Sequence, residues 1–71
     1  MHRHHVESSV FRNIGYDQEA RILEVEFKDT GDVWQYYAFP PRAYKKFINS
    51  ESLGHFFTKY IKNKYHEIQM L

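Results

Sequence analysis

The chain has 71 residues, with ten lysines and arginines against nine aspartates and glutamates, and no cysteine. Such a length makes one domain near the lower limit for a self-sufficient core, and the missing thiols exclude disulfides and thiolate metal sites. A net charge of +1 selects no partner, but its distribution is uneven. Residues 1–41 hold four basic against seven acidic side chains, and residues 42–71 hold six against two.

Residues 1–6, MHRHHV, are polar and without pattern, which predicts a flexible N-terminal tail preceding a single domain over 7–71. MHRHHVESS lacks the apolar stretch of a signal peptide, and no run approaches the roughly 18 apolar residues of a membrane span. A soluble, cytoplasmic protein is expected.

Three strand signals follow. SSVFRNIGY (8–16) is rich in β-formers and stops at a polar turn over 17–20. RILEVEFK (21–28) alternates with a period of two, Arg21, Leu23, Val25 and Phe27 against Ile22, Glu24, Glu26 and Lys28. DTGD (29–32) is a hairpin loop in which Gly31 can take positive φ. VWQYYAF (33–39) is the third strand, halted by Pro40-Pro41 because proline has no amide proton for a ladder.

With these loops, Phe27 faces Trp34, Val25 faces Tyr36, and Ile14 faces Leu23. One face then carries Val10, Ile14, Leu23, Val25, Phe27, Trp34, Tyr36 and Ala38. The other carries Phe11, Asn13, Ile22, Glu24, Glu26, Gln35, Tyr37 and Phe39. Two glutamates on the central strand would be costly to enclose, so the second face is assigned to water. Arg12 alone misfits, falling on the covered face, which predicts either an outward-reaching stem or a β-bulge.

Two helices supply the cover. Pro41 suits a first turn, with Tyr44, Phe47 and Ile48 at i, i+3, i+4. A longer helix from Ser52 to about Met70 places Leu53, Phe56, Phe57, Tyr60, Ile61 and Tyr65 on one stripe, and His55, Lys59, Lys62 and His66 on the opposite one. The predicted fold is α+β: a three-stranded antiparallel meander covered on one face by two C-terminal helices, in the order βββαα. The predicted core is Leu23, Val25, Phe27, Trp34, Tyr36, Phe47, Phe56, Phe57, Tyr60 and Ile61.

The order Ser8-Ser9, Ile14-Gly15-Tyr16-Asp17, Leu23-Glu24-Val25-Glu26-Phe27, an aromatic-x-Tyr strand ending in Pro40, Ser52-x-Gly54, Phe56-Phe57 and Ile61…Tyr65 resembles the KTSC domain. That family is named for a C-terminal extension of some lysyl-tRNA synthetases and also occurs as a stand-alone small bacterial protein. The resemblance covers about Glu7 to Tyr65. Its signature Tyr-x-Tyr is matched by Trp34-Gln35-Tyr36, with an indole in place of the first phenol. The synthetase context implies RNA as a partner; the resemblance implies no enzymatic activity.

Read from the residues, RNA binding needs a basic track with rings for bases to stack on. The sheet's open face offers Phe11, Tyr37 and Phe39, but Glu24 and Glu26 lie among them and would repel phosphates. The helical side is better suited, with Arg42, Lys45, Lys46, His55, Lys59 and Lys62; the bland alternative is a solvated helix face. Ser50, Ser52 and Gly54 surround a helix start that could hold an anion, although an ordinary cap accounts for them. His2, His4 and His5 lack a placed acidic partner, so no metal is expected. His55 has no acid to orient it and no glycine-rich loop follows a strand, so neither an enzyme nor a cofactor is expected. The competing class is a protein-interaction or homodimerisation module, using Phe11, Ile22 and Tyr37 on the open face together with the exposed strand edges.

Overall fold

The computed structural model describes residues 1–70. Five strands form one antiparallel sheet in sequential order: β1 (Arg3–His5), β2 (Phe11–Asp17), β3 (Ile22–Phe27), β4 (Val33–Tyr37) and β5 (His66–Met70). Helix α1 (Pro41–Ile48) and helix α2 (Leu53–Phe56), which runs on into a π-helical turn over Phe57–Ile61, lie between β4 and β5. The sheet therefore has five strands where the sequence predicts three, and the second helix is half the predicted length. No helix among the described residues is long and apolar enough to cross a membrane.

Both extra strands correct specific expectations. Residues 3–5 are not a loose tail; they pair with β2, Arg3 opposite Gly15 and His5 opposite Asn13. The predicted helix to Met70 ends early because its last turn widens. The Lys62 amide reaches the Phe57 carbonyl at 2.8 Å, five residues back, and Asn63 then takes a left-handed φ of 63°. A short polar side chain tolerates that conformation. The chain turns back, and β5 pairs its residues with β4, covering an edge that would otherwise leave backbone groups unpaired.

Register departs from expectation by two residues in both central hairpins: Leu23 faces Tyr36, Val25 faces Trp34, and Ile14 faces Val25. An even shift keeps each side chain on its face. The exception lies in β2, where the pairing slips between Phe11 and Asn13. Arg12 is the extra residue of this bulge and points to solvent, its guanidinium 3.3 Å from Glu26. The bulge reverses the parity of everything before it, so Phe11 turns inward and is 0 % exposed. Phe39 moves the same way. Ala38 adopts a φ of 55°, and the ring that strand alternation would leave outside becomes fully buried.

The core is Phe11, Ile14, Leu23, Val25, Tyr36, Phe39, Phe47, Phe57 and Ile61. Phe27, Trp34 and Phe56 are half-buried at its margin, whereas Tyr60 is 51 % exposed and does not belong to it. Only the row Leu53-Phe57-Ile61 of the second helical segment enters the sheet. Phe56 and Tyr60, their rings 4.8 Å apart, form the next row out. Phe11 holds the layers together, with ring centroids 5.1 Å from Phe27, 5.9 Å from Phe47 and 5.2 Å from Phe57. Gly54 lets the helix lie against the residue leading into β2: a Cβ there would sit 2.5 Å from a Val10 methyl.

Three tyrosines carry a pH consequence. Burial raises the phenol of Tyr36 well above its usual 10.0, with the Glu67 carboxylate adding to the effect. Burial also raises Tyr44 and Tyr16, the latter against an opposing pull from Arg21 and with a smaller push from Asp17. A raised folded-state value means that the unfolded chain releases these protons first. Stability is therefore complete below about pH 10 and declines as pH rises beyond it. Far-UV circular dichroism and tyrosinate absorbance should change together in an alkaline titration. Phenolate forming at Tyr16, Tyr36 and Tyr44 near pH 10 with the fold intact would contradict this.

Candidate functional site

An apolar depression on the helical side lies between α1, the π turn and the start of β5. It is a cleft of about 370 Å³ lined by Phe39, Ala43, Lys46, Phe56, Tyr60, Ile61 and Tyr65. Phe39 and Ile61 are buried floor residues. Tyr65 packs on Phe39 at 4.8 Å and closes one end, while Phe56 and Tyr60 make a ridge along one side. Lys46, in the last turn of α1, brings the one basic side chain of the lining. Beyond the ridge is a shallower cleft of about 240 Å³ lined by Ser50, Glu51, Ser52, His55, Phe56, Lys59 and Tyr60. Tyr60 thus lines both hollows, with the Lys59 ammonium over its ring at 5.3 Å from the centre and the Phe56 ring 4.8 Å away.

The predicted basic residues are divided by the early helix end. Lys46, His55 and Lys59 gather around the Phe56–Tyr60 ridge. Arg42 and Lys45 are exposed on α1 but line neither hollow. Lys62 leaves the stripe, because the chain exits helical geometry there with ψ of 126°, and it lines a separate depression beside Trp34 and Glu67. His66 moves to β5, where its ring lies 5.8 Å from Tyr37. Sequence reasoning missed Phe39 and Ala43 as lining residues. Ala38, whose turn delivers Phe39, is neither glycine nor asparagine and gave no signal.

On the open face, Phe11 is lost as a docking residue because it lies in the core, while Ile22 and Tyr37 remain half-buried there. This face is also less wet than predicted. Glu24 is only 6 % exposed, not under the helices but on the opposite face between the Arg3 and Gln35 side chains. One cross-strand row runs Arg3, Gly15, Glu24, Gln35, Ile68 over all five strands. Arg3 Nη1 lies 2.5 Å from Glu24 Oε2, and Gln35 Nε2 donates to Glu24 Oε1 at 2.7 Å. The Tyr37 hydroxyl bonds to Gln35 Oε1, and Asn13 Nδ2 donates to Glu26 Oε1 at 2.9 Å. Both carboxylates are held by their neighbours, although Arg3 Nε is buried without a partner, and the face is a cross-linked polar lattice.

The serines at the second helix start act as a cap. Ser52 Oγ accepts from the His55 amide at 3.2 Å, and Ser50 Oγ donates back to the Phe47 carbonyl at 2.7 Å. No group of three or more His, Cys, Asp or Glu side chains that could hold a metal ion occurs among the described residues.

Comparison with known proteins agrees with this architecture. The KTSC domain model matches residues 7–65. An uncharacterized protein of Stutzerimonas stutzeri is 38 % identical over 66 residues, covering 93 % of this chain and 92 % of that protein. A lysine–tRNA ligase of Nostoc punctiforme is 37 % identical over 59 residues, 83 % of this chain but 10 % of the ligase. The crystal structure of a KTSC domain protein from Yersinia pestis superposes with a TM-score of 0.93 at 37 % identity, covering 99 % of this chain and 97 % of the other. Sequence match, chain coverage and superposition agree, and the protein belongs to the KTSC domain family.

Proposed function

We propose that this domain is a non-catalytic binding module for single-stranded segments of structured RNA, and that the Phe56–Tyr60 ridge is its contact surface. The observation that carries the proposal is Tyr60: 51 % exposed, lining the hollows on either side, with the Lys59 ammonium over its ring and Lys46 in the adjoining cleft. A base can stack on such a ring while the ammonium groups meet the phosphates on either side. The surrounding segment is the basic part of the chain, and the same domain type forms a tenth of the lysine–tRNA ligases it matches. Those ligases act on a tRNA, which supports RNA as the ligand class and the cytoplasm as the compartment.

The test is fluorescence anisotropy of a labelled, mixed-sequence single-stranded RNA pool, repeated at two salt concentrations. Tyr60→Ala is expected to weaken binding by roughly 5- to 100-fold, the equivalent of one lost base stack. Lys46→Glu with Lys59→Glu should weaken it further and flatten the salt dependence by about 0.7 logarithmic units per lost phosphate contact. Binding unchanged in both variants would refute the assignment.

A second reading rests on β5. Ile68 and Met70, 43 % and 38 % exposed, share the open face of an edge strand with an unpaired backbone side. Absence of any RNA-induced amide shift over residues 42–66 would favour this reading, with a protein partner or a second copy docking along that edge.

A further inference from the structure

On the side of the helical layer away from the ridge, a depression of about 220 Å³ is lined by Phe27, Trp34, Tyr36, Phe57, Lys62 and Glu67. Its floor is the nearly buried pair Tyr36 and Phe57, whose rings stand 5.5 Å apart at 82°. Phe27 meets Phe57 at 5.7 Å and 77°, and half-buried Trp34 forms the remaining wall. Tyr36 and Phe57 are locked edge-to-face, so the ring surface left open to the hollow belongs mainly to the half-buried Phe27 and Trp34. Opposite Tyr36 on β5 is Glu67, whose Oε1 is shielded from solvent yet has no hydrogen-bond partner. A carboxylate oxygen kept from water without a donor is costly, and a positive charge placed near it relieves that cost.

We propose that this cup is a binding site for a fully methylated ammonium group, either a free quaternary ammonium compound or the side chain of a trimethylated lysine. A hollow walled by Trp34 and Phe27, floored by Tyr36 and Phe57 and bordered by one acidic side chain matches that chemistry. Ring faces attract a cation through their quadrupole, and the gain grows when the cation is already poorly hydrated. A methylated ammonium has no N–H groups to satisfy, whereas an ordinary lysine ammonium brings three donors to a site with one free acceptor oxygen. Metal ions need several oxygen or nitrogen ligands, and the cup supplies only one carboxylate. Lys62 is the one basic residue of the lining, and it forms no ion pair with Glu67 within 4.0 Å. Its charge opposes the ligand and sets affinity below what the rings alone would give. The site is separate from the Tyr60 ridge, sharing no lining residue with it.

Trp34 is the only tryptophan of the chain, so its emission reports the cup directly. The whole protein is titrated with tetramethylammonium chloride against sodium chloride at fixed ionic strength. It is then titrated with a short peptide bearing trimethyllysine against the same peptide with unmodified lysine. A saturable emission change is expected with both methylated ligands, about tenfold weaker or absent with sodium ion and unmodified lysine. Glu67→Gln should weaken it about tenfold, and Lys62→Met, an exposed change that keeps the fold, should strengthen it several-fold. Tighter binding of the peptide than of tetramethylammonium identifies a protein tail as the source, and equal binding a free small cation. A linear, unsaturated response identical for all ions, or a saturable one indifferent to both substitutions, overturns the proposal.

Discussion

Replacing Phe11 by alanine is expected to lower folding stability by about 3–5 kcal/mol. Its ring is fully buried and touches Phe27, Phe47 and Phe57, so it joins β2, the β3 hairpin and both helical segments. Truncation loses the transfer free energy of the ring and leaves a hole among three other rings that cannot collapse without moving the helices. A domain of 71 residues has roughly 4–10 kcal/mol in total, so from about a third to all of its stability would go. Chemical denaturation followed by circular dichroism measures this directly. Tyr60→Ala is the control: on strand and helix periodicity alone Tyr60 would be core and Phe11 surface, but the structure reverses the two. Tyr60→Ala should therefore change stability by less than about 1 kcal/mol. Equal costs for the two substitutions would show that the β2 bulge is not where the structure places it.

The second large effect is expected at Gly15, where alanine should cost about 2–3 kcal/mol and release β1. A Cβ at this position would lie 2.5 Å from the His2 carbonyl oxygen and 3.1 Å from Arg3 Cγ. The first contact is backbone, so the strand itself must move. Moving it withdraws the Arg3 guanidinium from Glu24, which is nearly enclosed and keeps only the Gln35 amide as partner. A charge stripped of its counter-ion in such a place is costly, although the one-third exposure of Arg3 holds the loss below that of a deeply buried pair. Amide hydrogen exchange should show protection lost over Arg3–His5 while β3 and β4 keep theirs. If the strain and the ion pair are one event, Arg3→Ala added to Gly15→Ala will cost little more than either alone. Additive effects, or an alanine variant as stable as the parent, would contradict the account.

The strand alternation of residues 21–28, the Gly31 loop with its φ of 76°, the Pro41 helix start and the Ser52 cap were all legible, because each depends on a few neighbouring residues. The family was legible for the same reason, since its motifs are short and ordered along the chain. The candidate site was read only in part. Lys46, His55 and Lys59 were visible as basic residues, but their separation from Lys62 and His66 depends on a helix that stops at Ile61.

What the amino-acid order determined by itself is the set of local choices: which segments extend, where they turn, and that aromatic rings must form the core of so short a chain. Tertiary structure decided everything that turns on parity or on competition between distant segments. One bulged residue at Arg12 and one left-handed residue at Ala38 reverse which rings are buried. The free edges of β2 and β4 recruit residues 3–5 and 66–70, whose own patterns favour neither strand. The physical reason is the same in each case: a strand gains its hydrogen bonds from a neighbour remote in sequence, so its existence and facing are properties of the assembled sheet.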